Sequence, residues 1–422
     1  MESTVKNKKI VWIIDHYSSE PKYGGISRQY DFAMELSKRG IKVVVISSSY
    51  SHFTHQYFTD KDIQVNRISN NALYVYLHTS SYQSNNGKNR AKSMLDFMNK
   101  VIKVGPIIAK KYGDPSAIMG CSVHPLAWIA AHHLAKKFKS RFIAEVRDLW
   151  PEAYIASGEK SKYDPMMIFF ALLEKWAFKR ADRIICSLSH GDKYICDRLG
   201  VPREKVFIIG QPLDCERFDK NAENFDSLPY KIVDFISSGF VCCFTGYYIA
   251  YEGVMVFLEA MKLLKDRSLP IKMVFAGSGQ EEEMIKYAEE NNLSNVLIWG
   301  RIPKESVPAL ISHCDICLAH LDEKGNRNIY KYGISKNKVN EYLYSGACTI
   351  FGFMFDDNDV MESRGGLMFK PYNANDLADK IQSIYEMPKQ ERKKYGIHGR
   401  DYIKKNHGVK ELTDKLERIF FE

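Results

Sequence analysis

An α/β protein with two parallel sheets is the fold this sequence predicts, and two observations predict it. Apolar runs short enough to be strands alternate with amphipathic stretches long enough to be helices. The alternation then restarts near residue 208 as a second series. Strands separated by helices pair in parallel, because a parallel connection needs a crossover that a helix supplies.

The first series opens with KIVWIID (9–15) as a buried strand, SRQYDFAMELSKRG (27–40) as a helix ending at Gly, and KVVVISS (42–48) as the next strand. Residues 52–89 are less regular, with two short strands and a polar loop. A long helix is predicted at about 91–111, then strand SAIMGCS, helix PLAWIAAHHLAKKF, strand RFIAEVRD, helix MMIFFALLEKWAFKR and strand DRIICSLS. After QPLDCERFD come strand GFVCCFTG, helix VMVFLEAMKLLK, strand IKMVFAG, helix EEEMIKYAEENN and strand NVLIWG. Helix KESVPALISH, strand DICLAHL, helix NKVNEYLYSG and strand ACTIFGF complete the second half, and two helices close the chain, the last at about 409–421. Open sheets of this kind bind ligands at the carboxyl ends of their strands. With two sheets, the expected site is the cleft between two Rossmann-like β/α/β domains, 1–208 and 209–408.

The totals agree. At 422 residues the chain exceeds one typical domain of roughly 150 residues. Its 45 % hydrophobic content supports large cores. No uncharged apolar run approaches the roughly 18 residues that span a bilayer, and VWIID after the polar start MESTVKNKK is too short for a secretory leader. Nine scattered cysteines fit a reducing cytoplasm better than a disulfide framework. A formal charge of +9 favours phosphorylated ligands or an anionic membrane surface. Nucleic acid is not expected, because no recognition motif accompanies the charge.

One helix start carries the most specific signal. In SKNKVNEYLYSG (335–346), Ser335 stands where an N-cap is expected and two lysines follow. Helix N-termini already carry positive partial charge and prefer acidic first turns. Lys336 and Lys338 therefore point to an external anion. Lys338 and the free N–H groups could hold a diphosphate, and Glu341, one turn on, could accept two ribose hydroxyls. The bland alternative is a solvated helix end.

Two glycine turns follow strands, Gly24-Gly25 and Gly277-Ser278-Gly279. Both suit close approach to phosphate or sugar, and equally an ordinary tight turn. EVRDLWPE (145–152) puts Arg147 and Asp148 at a strand's carboxyl end, and His124 follows another strand. Cys314 and Cys317 make one CxxC with His320 nearby. Without a second ligand pair they read as buried strand residues rather than zinc ligands. The FDDND cluster (355–359) reads as a solvated turn, and no metal is expected. PIIAKKYG, HHLAKKFKSRF and MMIFFALLEKWAFKR mix basic and apolar residues, fitting either a membrane-surface helix or a helix packed on a sheet.

The succession of pieces resembles glycosyltransferase family 4, retaining enzymes with the GT-B fold. It runs GG-x-x-R (24–28), EVRDLWPE, LEKWAFKRADRIICSLSHG, VFIIGQPLDCERF, the stretch from AGSGQEEEM to CLAHL, and SKNKVNEYLYSGACTIFGF. RDLWPE resembles the branch that builds bacterial O-antigen, capsule and exopolysaccharide. The resemblance implies that the C-terminal domain holds the nucleotide of an activated sugar, most often UDP. Arg301 and Ile302 would read the base, Glu341 the ribose and Lys338 the diphosphate, with Gly246, Gly277, Ser335, Lys331 and Arg28 in the donor-contacting set. Gly24 and Gly25 would lie near the phosphates. His124 would hydrogen-bond the transferred sugar, Asp148 would orient the acceptor, and Arg147 would add positive charge. The last helix would return to the N-terminal domain. A polyprenyl-diphosphate-linked glycan at the inner membrane face is the implied acceptor. The chain departs from the family in two places. Gly333 stands where the first Glu of the E-x7-E motif would fall, and Glu252 stands where a phosphate-binding Lys is usual. A nucleotide-sugar epimerase or hydrolase, or a non-catalytic binding protein, are the rival readings.

Overall fold

The computed structural model describes residues 9–25, 27–52, 54–83, 87–122, 124–322 and 327–422. The chain forms two units: Met1–Pro212, Asn328–Ser335 and Val409–Glu422 make the first, and Leu213–Arg327 and Lys336–Gly408 the second. The division falls four residues beyond the expected 208. The segment 328–335, expected in the second domain, groups with the first.

The first unit holds strands β1 (Ile10–Ile14), β2 (Lys42–Ser48), β3 (Ile63–Arg67), β4 (Ala72–Leu77), β5 (Ala117–Cys121), β6 (Arg141–Val146), β7 (Arg183–Cys186) and β8 (Val206–Ile208). Their order is β3-β4-β2-β1-β5-β6-β7-β8, and only the β3–β4 pair is antiparallel. Helices α1 (Arg28–Lys38), α2 (Lys88–Tyr112), α3 (Leu126–Phe138), α4 (Glu152–Ala156) and α5 (Pro165–Arg180) connect them. Every residue of β1 is buried, as a strand covered on both faces requires. Ile10, Trp12 and Ile14 face one core with Trp128 and Phe178. Val11 and Ile13 face the other, which the C-terminal helix completes with Val409, Leu412, Leu416, Ile419 and Phe420. That spacing of three and four residues is the apolar stripe of a helix packed on one face.

In the second unit α6 (Cys215–Ala222) and α7 (Tyr230–Ile236) precede β9 (Phe240–Tyr248). Then come α8 (Val254–Asp266), β10 (Ile271–Gly279), α9 (Glu281–Glu290), β11 (Val296–Trp299), α10 (Val307–Ser312) and β12 (Ile316–His320). The short α11 (Arg327–Tyr330) leads to α12 (Asn337–Ser345), β13 (Cys348–Gly352), α13 (Asp359–Ser363), β14 (Gly366–Phe369), α14 (Ala374–Glu386), α15 (Lys389–His407) and, back in the first unit, α16 (Val409–Phe421). The sheet is wholly parallel in the order β11-β10-β9-β12-β13-β14. β14, four residues long and starting at Gly, escaped the sequence reading.

Candidate active site

The second sheet reverses its direction of growth at β9, with β10 and β11 on one side and β12 to β14 on the other. Ligands bind at such switch points. Only two residue pairs join β9 to β12, Cys242 with Ile316 and Cys243 with Cys317. Pairing of β9 with β10 continues to Tyr248 and Gly279. Past Cys243 the amide of Thr245 donates instead to the hydroxyl of Tyr342 at 2.7 Å. Tyr342 belongs to α12, so this bond ties that helix to the carboxyl-terminal half of β9. Cys314 and Cys317 are buried there as core residues, with Cys317 Sγ 3.5 Å from Cys243 Sγ.

The N-cap of α12 is Lys336, with no side-chain cap. Ser335, the expected cap, lies one residue before the actual cap, its hydroxyl buried without a hydrogen-bond partner. Both lysines turn onto one carboxylate. Glu252 Oε2 is 2.9 Å from Lys336 Nζ and 2.9 Å from Lys338 Nζ. Lys336 also donates to the carbonyl of His320 at 3.0 Å. Lys338 Nζ lies 4.2 Å from the centre of the Phe244 ring. It rests on Gly246, where a Cβ would stand 2.7 Å from Nζ at a φ of +133°. Burial lowers Lys336 to about 8 against the pull of Glu252, and burial lowers Lys338 as well. For Glu252 burial acts upward, but Lys338 and Lys336 outweigh it and hold the carboxyl below its ordinary range. Glu252 is thus the partner of these lysines, something its place in the sequence did not show.

The residues expected to read the base sit beside this cluster. Gly277 pairs with Gly246 across β10 and β9, and a Cβ at Gly277 would strike the Gly246 carbonyl at 1.8 Å, so the approach requires glycine. Arg301 Nε donates to Ser278 Oγ at 2.7 Å, and its guanidinium lies 5.5 Å from the Tyr247 ring centre. Ile302 follows, half-buried. Glu341 is paired with Lys304, a residue the sequence reading did not single out.

The first sheet switches direction between β1 and β5. Here Asp15 and His16 follow β1, Ser122 and His124 follow β5, and Arg147 and Asp148 follow β6. His16 Nδ1 and His124 Nε2 are 2.7 Å apart, both rings fully inside, and His124 Nδ1 has no hydrogen-bond partner. Desolvation brings His124 down to about 3 and His16 well below its ordinary value, so both rings are neutral at pH 7. Arg147 lies 3.5 Å from Asp15, whose carboxyl is raised by burial even though Arg147 opposes this. Asp148 is exposed. Asp15, His16 and Glu145 went unremarked in the sequence; the titratable pair DH directly after the first strand was the available signal.

Gly24 and Gly25 have φ of +71° and +84° and are exposed, with open space around Gly24. Two expectations need correction. Arg28 is interior: Nε pairs with Glu145 Oε1 at 2.8 Å, and its terminal nitrogens donate to the carbonyls of Ile209 and Gly210. A guanidinium consumed in this way has no face left for a donor. Lys331 belongs to the first unit, where it is 3.4 Å from Glu152 and its ammonium lies over the Tyr332 ring.

Residues 23–217 match the family model described as Glycosyltransferase Family 4, and residues 239–387 match the one described as Glycosyl transferases group 1. No curated protein matches the chain in sequence. Among solved structures, sucrose-phosphate synthase from Thermosynechococcus elongatus superposes with a TM-score of 0.70 at 17 % identity, covering 98 % of each chain. A glycosyltransferase from Rickettsia africae ESF-5 gives 0.64 at 16 % identity, again over 98 % of each chain. Anabaena HepE in complex with UDP gives 0.64 at 12 % identity, over 97 % of this chain and 98 % of that one. These structures share the two-domain GT-B fold. Each half of the chain thus matches a glycosyltransferase family model, the first half that of family 4.

Proposed function

We propose that the protein is a retaining glycosyltransferase that moves a hexosyl or N-acetylhexosaminyl group from a UDP-linked donor to a lipid-linked glycan. The product serves cell-surface polysaccharide synthesis of the O-antigen, capsule or exopolysaccharide type. The observation that carries this reading is the pair Lys336 and Lys338 at the uncapped start of α12, at the switch point of the second sheet. HepE, a neighbour in fold, has been solved with UDP and with UDP-glucose, which supports uridine as the base.

The chemistry is departure of a diphosphate from an anomeric carbon. Negative charge grows on the leaving oxygens while the sugar becomes oxocarbenium-like. Fixed cations and backbone N–H groups aimed at that charge are the largest contribution expected of the protein. The lysines and the helix start supply them, so the reading needs no metal. The acceptor attacks from the leaving-group side, and the departing phosphate takes its proton. Asp148 orients the acceptor hydroxyl, and the unpartnered Nδ1 of His124 donates to the transferred sugar. Arg147 adds positive charge beside them.

A polyprenyl-diphosphate acceptor calls for contact with the inner face of the membrane, with the protein peripheral and cytoplasmic. Among the described residues no helix is long and apolar enough to cross a bilayer. In α5, however, Met166, Ile168, Phe169 and Leu172 are exposed, and Lys179 and Arg180 follow in its last turn. An exposed apolar stripe followed by a lysine and an arginine suits an anionic bilayer surface. Beside it, Ala91, Met94, Trp150, Phe170 and Arg90 line a cavity of about 140 Å³.

Thermal shift against UDP-, GDP- and dTDP-sugars tests the donor. A specific ligand at a hundredfold excess over Kd adds about 2.7 kcal/mol of stability. Turnover is then read with and without a polyprenyl-diphosphate glycan. Donor consumption without acceptor would mark a hydrolase or epimerase, and no stabilisation by any nucleotide would end the transferase reading.

A further inference from the structure

We propose that Glu252 is a stand-in for the donor's diphosphate: its carboxylate holds Lys336 and Lys338 charged and in place while the site is empty, and yields them when the diphosphate arrives. The proposal rests on the reading of these lysines as the donor's anion site and adds a positioning residue to it.

Geometry is the ground for it. One carboxylate oxygen lies 2.9 Å from two ammonium groups that come from the same helix start. Glu252 reaches them from the turn between β9 and α8, a different element. Its residue is only 7 % exposed, so bulk water does little to screen the cluster. Two ammonium groups brought together at a helix N-terminus repel each other and the helix dipole alike. Without a counterion one of them would shed its proton. The remaining charged neighbours do not fill that need. Glu341 is matched by Lys304, and His320 gives its Nδ1 to the carbonyl of Tyr251 and is disfavoured by burial as a cation. Asp322 acts on His320 from the end of β12. The cluster proper is therefore two lysines and one carboxylate, with a net charge of +1. A diphosphate offers several oxygens and more charge than one carboxylate, so it binds the same ammonium groups at the cost of displacing Glu252. Lys336, brought down to about 8 by burial, marks how narrowly the second proton is retained.

The test measures the affinity of UDP and of inorganic pyrophosphate for the full chain by calorimetry between pH 6 and pH 9.5. In the wild type both affinities weaken as pH rises past about 8. In Glu252→Gln the onset of that loss moves down by at least one pH unit, and at pH 6 pyrophosphate binds at least fivefold tighter, since no carboxylate competes. A Glu252→Gln profile that overlays the wild type, or affinity lowered equally at every pH, overturns the proposal. Lys338→Ala separates the two levels. Undiminished UDP and pyrophosphate binding in that variant removes the donor-site reading itself, whereas binding lost in Lys338→Ala and unaltered in Glu252→Gln removes only the stand-in. If Glu252→Gln does not fold, lysine ¹³Cε NMR of the wild type decides. One lysine titrating near pH 8 moves upward by more than one unit on saturation with pyrophosphate, and a titration that stays put overturns the proposal.

Discussion

The two sheets open at their switch points in the same way and furnish the openings oppositely. At the first, a buried histidine pair lies with the Asp15–Arg147 contact at the strand ends. At the second, two lysines and a helix start share one carboxylate and leave an excess of positive charge. The topology determines where a ligand meets the sheet, and a handful of side chains determines what kind. On the proposed reading, one opening meets sugar hydroxyls and the other the donor's diphosphate.

The largest effect that sharpens this contrast is structural. Arg28→Ala leaves Glu145 as a buried carboxylate without its partner, which costs about 3–5 kcal/mol. Chemical denaturation should show the loss while UDP affinity holds. A stable Arg28→Ala protein with impaired UDP binding would return Arg28 to the donor site. Next comes Lys338→Ala, which should lower turnover by at least tenfold and by as much as about 10²–10³, the usual effect of removing one donor aimed at developing charge. Wild-type rates at saturating donor would remove Lys338 from the mechanism. Tyr342→Phe is smaller: the Thr245 amide loses its acceptor, at a cost of about 1–3 kcal/mol in stability. A variant with unchanged stability would mean that water replaces the hydroxyl, and that the bond does not hold α12 in place.

The most gradual effect is with pH. His124 titrates near 3 when folded and near 6.5 when unfolded, so between these values only the unfolded chain binds the proton, and stability falls as the pH drops. Lys336 titrates near 8 when folded and near 10.5 when unfolded, so across that window only the unfolded chain keeps the proton, and stability rises with pH. Each slope is at most about 1.4 kcal/mol per pH unit. Denaturation across pH, with His124→Asn and Lys336→Met as controls, should flatten the acid slope in the one and the alkaline slope in the other.

The fold was legible because a parallel sheet writes itself as alternating periods, and β1 or β9 can be nothing but buried strands. Lys338 drew attention because it lies in the first turn of a helix and Gly277 because it lies at the carboxyl end of a strand, whereas Arg301 was named only through the family resemblance. The role of Glu252 was not legible, since nothing in YEG says which distant side chains its carboxylate meets; 84 residues separate it from Lys336. Arg28 misled for the same reason. GG-x-x-R places it near a glycine turn, yet its partner Glu145 is 117 residues away. Pairings of this range are set by strand order, and the strand order β2-β1-β5-β6 is not written locally.

The first unit consists of three stretches of chain and the second of two, so the polypeptide passes from one to the other four times. Neither can be excised with a single cut. A fragment ending at residue 212 would forfeit Leu412, Leu416, Ile419 and Phe420, and the core around Val11 and Ile13 would keep Phe32, Ala33 and Leu36 of α1 but lose the terminal helix. Dissecting this enzyme into separately expressed lobes therefore calls for rejoining the chain in a new order, with the terminal helix grafted back by a short tether.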